Sequence, residues 1–172
     1  MPSTPIPLAS LSALERDAFV QALDGIFEHS PWVAHAAWAA GPFSDRDALL
    51  AALVAAMRGA TRGQQLALIR AHPELAGRAA VRGELTHESR GEQSGAGLDA
   101  CSPEEFERLQ NLNAAYLAKF GFPFILAVRG YDRRGIIERF AARLEHSPEA
   151  EFDEALTQIA RIAALRLADR VA

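Results

Sequence analysis

The fold is decided most clearly by residues 102–121, which read SPEEFERLQNLNAAYLAKFG. Ser102 is a favoured N-cap residue, Pro103 suits the first helical position, and Glu105 completes a capping box with Ser102. Gly121, with Pro123 just beyond it, provides a stop signal. Between these ends the apolar side chains recur at helical spacing: Phe106, Leu109, Leu112, Tyr116 and Phe120. The stretch therefore predicts one long amphipathic helix.

Helical periodicity continues on both sides of this helix. A capping-box pattern at Ser12 and Glu15 predicts a helix that ends at His29-Ser30-Pro31, and a second amphipathic stretch runs from Ser44 to Gly59. Further helices are predicted over residues 64–71, around residues 136–144 and after Ser147-Pro148. The pattern predicts an all-α protein, a single-domain helical bundle of about six to eight helices.

Two stretches depart from the helical pattern. Residues 77–97 are polar and contain five glycines, so this segment is predicted to be an irregular active-site loop. Residues 122–128 are apolar, but Pro123 lies inside them and no partner strand is visible in the sequence. This second segment is predicted to be a buried loop.

Composition limits the class of protein. With 172 residues, 49% of them hydrophobic and 23% charged, the chain is expected to form one compact domain, residues 1–172, with a continuous core. The net charge of −4 argues against a nucleic-acid partner, because phosphate binding needs clustered Lys and Arg.

The same counts bear on the cellular compartment. The only cysteine, Cys101, cannot form an internal disulfide, which fits a reducing compartment. The longest apolar run, residues 48–57, is about half as long as a membrane span, and Glu15 and Asp17 interrupt the N-terminus where a signal peptide would be apolar. A cytoplasmic protein with no membrane partner is expected.

His72 is the first candidate for chemistry. It precedes Pro73, so the helix over residues 64–71 is expected to stop there and to present the imidazole at its C-terminal end. The negative end of the helix dipole favours the imidazolium form, which suits a proton donor. A histidine that caps the last carbonyls of a helix would give the same pattern, and the local sequence leaves both interpretations open.

Glu92 is the second candidate. Ser89 and Glu92 have capping-box spacing, which favours a structural role at the start of one helical turn. The turn is short and broken by Gly95 and Gly97, and its free N–H groups suit an anionic substrate. Glu92 is therefore a candidate catalytic carboxylate as well as a candidate capping residue.

Arg166 is the third candidate, because it lies on the apolar face of the last helix. At about 100° per residue Arg161 falls on the opposite face. A guanidinium on a buried face is costly unless it is paired or used, so Arg166 is either half of a structural salt bridge or a ligand-binding group. Arg170 shares this face but is expected to be exposed near the chain end. The face is defined by Phe152, Leu156, Ile159 and Ala163.

No metal site is predicted. His87, Glu88 and Glu92 come nearest to one, but Gly91 makes a continuous helix there doubtful, and the sequence has no H-E-x-x-H or H-x-H pattern. Cys101 carries no sign of a lowered pKa, so a buried thiol is predicted rather than a nucleophile.

Several short segments are weak signals one by one, but their joint presence and order are specific. They are Glu28-His29-Ser30-Pro31-Trp32, His72-Pro73-Glu74-Leu75-Ala76-Gly77, Leu85-Thr86 leading to Ser89-x-x-Glu92-Gln93, Ala96-Gly97-Leu98, Phe120-Gly121-Phe122-Pro123-Phe124-Ile125 and Ile159-x-x-Ile162-x-x-Leu165-Arg166. Together they span nearly the whole chain, which in this respect resembles the 2-oxo-4-hydroxy-4-carboxy-5-ureidoimidazoline (OHCU) decarboxylases.

The resemblance implies an all-α homodimer that needs no metal or organic cofactor. Its implied reaction converts a small-molecule substrate, OHCU, to (S)-allantoin and CO2 in urate breakdown. His72 and Glu92 match the family's catalytic positions. The substrate-binding positions of the family match Pro73, Ser89, Arg90, Gly91, Glu92, Gln93, Phe124, Ile125, Leu126, Ala127, Val128 and Arg166.

Under this hypothesis His72 and Glu92 transfer protons and Arg166 orients an anionic oxygen rather than gripping it. One alternative is a non-catalytic helical binding module that holds a partner through residues 77–97. The other is a metal-dependent hydrolase that uses His72, His87 and Glu92. Circular dichroism of the allantoin product distinguishes the first alternative, and a chelator distinguishes the second.

Overall fold

A computed structural model describes residues 4–172 and consists of α-helices joined by turns and loops. The helices are α1 (Leu8–Ser12), α2 (Arg16–Ala22), α3 (Trp32–Ala37), α4 (Arg46–Arg58), α5 (Arg62–Ala71), α6 (Arg78–Arg82), α7 (His87–Gly95), α8 (Pro103–Phe120), α9 (Arg133–Arg143) and α10 (Pro148–Arg170), with 3₁₀ turns at Trp38–Ala40 and Leu98–Ala100. Over residues 4–172 there is no β-strand, only an isolated parallel bridge between Ile6 and Val171.

The all-α prediction is confirmed, and the ten helices found in the described part of the chain are close to the predicted number. Three of them, α1, α3 and α6, have only five or six residues. Helices this short span less than two turns, so their apolar residues show little periodicity in the sequence.

The chain forms two compact units. The first runs up to Leu68 and resumes at Ala160. Within it α3 packs against both α2 and α4. Together with α1, these helices place large apolar side chains in a buried core, where each is at most 1% exposed: Leu11, Phe19, Val33, Leu49, Leu53 and Met57.

The second unit comprises Ile69–Ile159 and contains all of α6 to α9. Its main helix is α8, which has the predicted capping box at Ser102 and Glu105 and ends at Gly121 with φ of +76°. Tyr116 of α8 lies among aromatic rings, and Phe124 stacks on Phe140 with ring centroids 3.9 Å apart. This aromatic cluster holds residues 122–128 against α8 and α9.

The prediction for the first helix is wrong. Ser12 is the last residue of α1, Glu15 precedes α2 without a side-chain capping bond, and α2 already ends at Ala22. Beyond α2 the chain turns through left-handed conformations at Gly25 (φ +84°) and His29 (φ +46°). These turns bury the apolar residues that follow α2. The spacing of these residues in the sequence therefore resembles that of a helix, although the chain is not helical there.

The irregular loop predicted at residues 77–97 is largely helical, since it contains α6 and α7. The N-cap of α7 is Thr86, whose hydroxyl accepts from the Ser89 N–H at 3.2 Å. The capping box predicted at Ser89 and Glu92 is therefore wrong. Helix α7 is polar and glycine-containing, so its periodicity is weak, and it is stabilised by tertiary contacts that local propensity does not reveal.

Candidate functional site

His72 lies where the sequence places it, one residue beyond the end of α5 at Ala71. Its N–H donates to the Ile69 carbonyl at 3.2 Å, which closes the last turn of the helix. The side chain is only 6% exposed. A buried imidazole at a helix C-terminus sits in the field of the helix dipole, as the sequence predicts.

The segment after His72 connects α5 to α6 through a strained conformation. Leu75, Ala76 and Gly77 are buried, and Ala76 adopts a left-handed conformation with φ of +50°. At Gly77 a Cβ atom would approach the Cβ of Glu74 to 2.6 Å, so a side chain does not fit there. Non-glycine residues persist in left-handed conformations only where their surroundings hold them.

Helix α7 presents one buried face. Ser89 and Gln93, one turn apart, are 4% and 6% exposed, and Glu92 is half-buried. Arg90 and Gly91 are exposed, and Arg90 donates to the Gly83 carbonyl at 3.0 Å. Of the predicted residues in this turn, Ser89, Glu92 and Gln93 therefore share the inner side of the helix.

Gln93 joins α7 to the segment that follows His72. Its Oε1 accepts from the Ala76 N–H at 2.9 Å, and its Nε2 donates to the Glu74 carbonyl at 3.3 Å. These two bonds bring the turn that carries Glu92 against residues two and four positions beyond His72. The two predicted catalytic positions thus belong to one hydrogen-bonded substructure of the second unit.

Residues 122–128 form the buried loop that the sequence predicts. Phe124, Ile125, Leu126 and Val128 are at most 4% exposed. The loop is neither helix nor strand, and side chains hold its main chain at two points. Arg143 of α9 donates to the Ile125 carbonyl at 2.6 Å, and the Ala127 N–H donates to Gln158 Oε1 at 3.0 Å.

A buried ionic cluster stands behind this loop. The Arg143 and Glu151 side chains are 1% and 0% exposed and pair at 2.8 Å, while the Tyr116 hydroxyl also donates to Glu151. Burial by itself would raise the pKa of Glu151, but the bonds from Arg143 and Tyr116 outweigh it and hold that pKa below its usual range. Burial raises the pKa of Tyr116 far above its ordinary value, so both groups keep fixed protonation states near neutral pH.

This cluster was not predicted from the sequence, although a signal for it exists. Helical spacing places Arg143 on the same face of α9 as Ile136 and Phe140, which are fully buried. Arg166 lies on a buried face of the last helix in the same way. Glu151, its partner, stands in the first turn of α10, where an acidic residue is ordinarily explained by the helix dipole.

Arg166 belongs to the first unit and is buried, as predicted from its face. Its Nη1 donates to Glu28 Oε2 at 2.9 Å and to the Gly25 carbonyl at 2.8 Å. Of the two interpretations that the sequence leaves open for Arg166, the structural salt bridge is therefore present. Arg170 is partly buried rather than exposed, because its guanidinium donates to the Ala22 and Asp24 carbonyls.

A cavity of about 480 Å³ opens in the second unit beside α6, α7 and the start of α8. Its walls are mainly apolar and include Val81, Leu85 and Phe106. Among the predicted substrate-binding residues, all of them described, only Arg90 and Gln93 line it. The cavity is adjacent to the His72 segment through Ala76 and Gln93.

Three further observations concern metals, thiols and membranes. Across residues 4–172 no group of three or more His, Cys, Asp or Glu residues is placed to hold a metal ion. Burial, followed by the charge of Glu105, raises the pKa of the partly buried Cys101 thiol, as expected for a thiol that is not a nucleophile. None of the helices in the described part of the chain is long and apolar enough to cross a bilayer.

Comparison with known proteins gives a consistent result. A family model described as OHCU decarboxylase matches residues 12–168. The chain is 42% identical over 165 residues to the 2-oxo-4-hydroxy-4-carboxy-5-ureidoimidazoline decarboxylase of Haloferax volcanii, covering 96% of each chain. It is 39% identical over 162 residues to the mouse (Mus musculus) protein of the same name, covering 94% and 91%. A crystal structure of (S)-allantoin synthase superposes with a TM-score of 0.78 at 30% identity, covering 96% of this chain and 54% of the other.

Proposed function

Because this chain belongs to the OHCU decarboxylase family and is a carboxy-lyase, we propose that it converts OHCU to (S)-allantoin and CO2 in urate degradation. The observation that carries the proposal is the pair of hydrogen bonds by which Gln93 ties the segment after His72 to the helix of Glu92. These bonds support a shared site for the two groups that the reaction needs.

The substrate itself can accept the electrons of the reaction. The bond between the ring carbon and its carboxylate breaks, CO2 leaves, and the adjacent ring C=N takes up the electron pair. The ring nitrogen that received the electron pair takes up one proton and the ring carbon that bears the ureido group takes up another, while the hydroxyl loses its proton, so one proton is consumed overall. No pyridoxal or thiamine electron sink is needed, so the protein supplies orientation and a proton.

His72 and Glu92 are proposed to move the protons. They take the substrate hydroxyl proton as the new carbonyl forms and deliver a proton to one face of the ring, which fixes the (S) configuration. The burial of His72 supports this role, because a proton donor shielded from water protonates only the face that it meets.

The substrate contacts are proposed to come from three places in the second unit. Pro73 adjoins His72, the Ser89–Gln93 turn offers the side chains on its inner face, and residues 124–128 offer main-chain groups. The bonds from Arg143 and Gln158 support the last assignment, since they fix the loop without using every N–H and carbonyl in it. The Arg90 N–H is bonded to the Thr86 carbonyl at 2.9 Å inside α7, so Arg90 is proposed to contact the substrate through its side chain at the cavity wall, and Gly91 to leave room beside it.

Arg166 is proposed to orient an anionic oxygen of the substrate. The Glu28 carboxylate at 2.9 Å offsets the guanidinium charge, which supports an orienting role over a tight clamp. A tight clamp on the departing carboxylate would stabilise the ground state and slow the reaction.

The remaining proposals concern the assembly. Residues 1–172 are proposed to act as one OHCU-decarboxylase-like domain, which the match over residues 12–168 supports. The protein is proposed to work in the cytoplasm as a cofactor-free homodimer, with OHCU as its small-molecule partner, as the family resemblance implies. Size-exclusion chromatography with light scattering measures the oligomeric state directly.

The activity is tested by following circular dichroism of allantoin formed from freshly generated OHCU. The wild-type protein is expected to give optically active (S)-allantoin faster than spontaneous decay, and His72→Ala to give slow racemic product. His35→Ala, an exposed histidine in α3, is the matched control and keeps full activity.

Two results would refute the assignment. Racemic allantoin at the spontaneous rate from the wild-type protein would favour a binding module, and a wild-type rate from His72→Ala would remove His72 from the reaction. Loss of activity on treatment with a chelator, together with inactivity of His87→Ala, would instead favour the metal-dependent alternative.

A further inference from the structure

Side-chain amides hold the main chain directly after His72. Besides the two bonds from Gln93, Asn113 Nδ2 donates to the Leu75 carbonyl at 2.9 Å and Gln110 Nε2 donates to the Ala76 carbonyl at 2.7 Å. Gln110 and Asn113 stand one turn apart on α8, so both reach the segment from the same helix face.

This arrangement answers a physical need. The segment belongs to neither α5 nor α6, yet Leu75 and Ala76 are only 6% and 3% exposed. Buried carbonyls without helix or sheet partners must find other donors. The left-handed conformation of Ala76 is strained, so several hydrogen bonds are needed to hold it.

Asn113 carries an unusual feature. Its side chain is 4% exposed, and its Oδ1 is the one buried side-chain oxygen or nitrogen within residues 4–172 that has no hydrogen-bond partner. An unsatisfied buried acceptor costs free energy, and an apolar residue of similar volume would avoid that cost. The amide at this position is therefore explained by its donor, which holds the Leu75 carbonyl.

We propose that Asn113 and Gln110 are positioning residues that hold the His72–Gly77 segment and thereby fix the orientation of the His72 imidazole. The proposal rests on the proposed decarboxylase function. Neither residue is assigned to touch substrate: both act through the main chain of residues 75 and 76, three and four positions beyond His72. A displacement of about 1 Å at a reacting group can cost about a hundredfold in rate, so modest relaxation of this segment is enough to slow catalysis.

The test compares Asn113→Leu with Asn111→Leu. Asn111 is exposed on the same helix, so the same substitution there is a matched control. Asn113→Leu exchanges one unsatisfied buried acceptor, Asn113 Oδ1, for another, the Leu75 carbonyl, so the midpoint of urea unfolding should change little. We expect kcat to fall at least about tenfold with KM within about twofold, and the pH dependence of kcat to shift.

Gln110→Met provides a second variant at a half-buried position. It should lower kcat in the same way. Because both residues hold one segment, the loss in the Asn113→Leu, Gln110→Met double variant should be smaller than the product of the single losses. If Asn113→Leu does not fold, the kinetics of Gln110→Met decide the question.

The outcomes separate this inference from the proposed function. Failure of the wild-type protein to produce (S)-allantoin refutes the proposed function. An active wild type whose Asn113 and Gln110 variants keep kcat and its pH dependence refutes the positioning role. A loss of rate that merely follows the unfolded fraction, measured by circular dichroism in the same buffer, also refutes it.

Discussion

Replacing Glu151 with glutamine is the sharpest test of how the second unit is held together. The Arg143 and Glu151 side chains are 1% and 0% exposed, and Arg143 also donates to the Ile125 carbonyl. Glu151→Gln leaves the guanidinium buried without its counter-charge. Breaking a buried pair in this way costs about 3–5 kcal/mol, a large share of the total stability of an ordinary domain. The free energy of unfolding is measured by urea denaturation followed by far-UV circular dichroism.

Glu138→Gln is the matched control. Glu138 pairs with Arg134 at 3.0 Å, but the two side chains are 66% and 86% exposed. A pair of this kind is worth about 0.5 kcal/mol or less, because water screens it. If Glu151→Gln lowered the free energy of unfolding by no more than Glu138→Gln does, the buried Arg143–Glu151 pair would not stabilise the fold as expected. Salt should weaken the exposed pair and leave the cost at Glu151 nearly unchanged.

The same variant predicts a pH dependence with a definite sign. The folded protein holds the pKa of Glu151 below its unfolded value, which is about 4.3. The stabilisation from this carboxylate is therefore complete above about pH 4.3 and is lost as the pH falls through the lower, folded pKa. The stability difference between wild type and Glu151→Gln should accordingly shrink on acidification. A difference that grew below pH ~4 would contradict the sign of the shift.

Three further substitutions, one of them a control, test other parts of the structure by urea denaturation. Gly77→Ala should destabilise the protein by about 1–3 kcal/mol, because its Cβ would meet the Cβ of Glu74 at 2.6 Å. Gly95→Ala in α7 meets nothing within 4 Å and should be neutral or stabilising by up to about 1 kcal/mol; equal effects at the two sites would contradict the predicted clash. Glu28→Gln should cost about 3 kcal/mol or more, since Arg166 would lose its carboxylate partner in a site where both side chains are at most 4% exposed. A cost near that of the exposed Glu138→Gln control would show that the pair is not desolvated.

Local sequence signals were sufficient where one short stretch determines the conformation. The capping box of Ser102 and the left-handed Gly121 bound α8 as predicted, and Pro73 places His72 just beyond the end of α5. The burial of Arg166 also followed from its position on an apolar helix face. In each case the cause lies within a few residues, so the sequence displays it.

Local sequence signals gave wrong predictions where distant residues determine the conformation. Helix α7 forms although its sequence is polar and contains Gly91, because Thr86 caps it and the bonds of Gln93 to Glu74 and Ala76 fix it in place. Conversely, Ile26 and Phe27 fitted the apolar pattern of a predicted helix, but the chain forms left-handed turns there. Periodicity reports burial, and burial does not require a helix.

The sequence by itself determined the all-α class, the long helix α8, the position of His72 and, through its ordered motifs, the family. Only the tertiary structure decided which side chains hold the segments that carry the candidate site. Arg143 reaches Ile125 across 18 positions, and Asn113 reaches Leu75 across 38. The physical reason is that a buried main-chain carbonyl can be satisfied by any donor that the fold brings near it, so sequence separation carries no information about the partner.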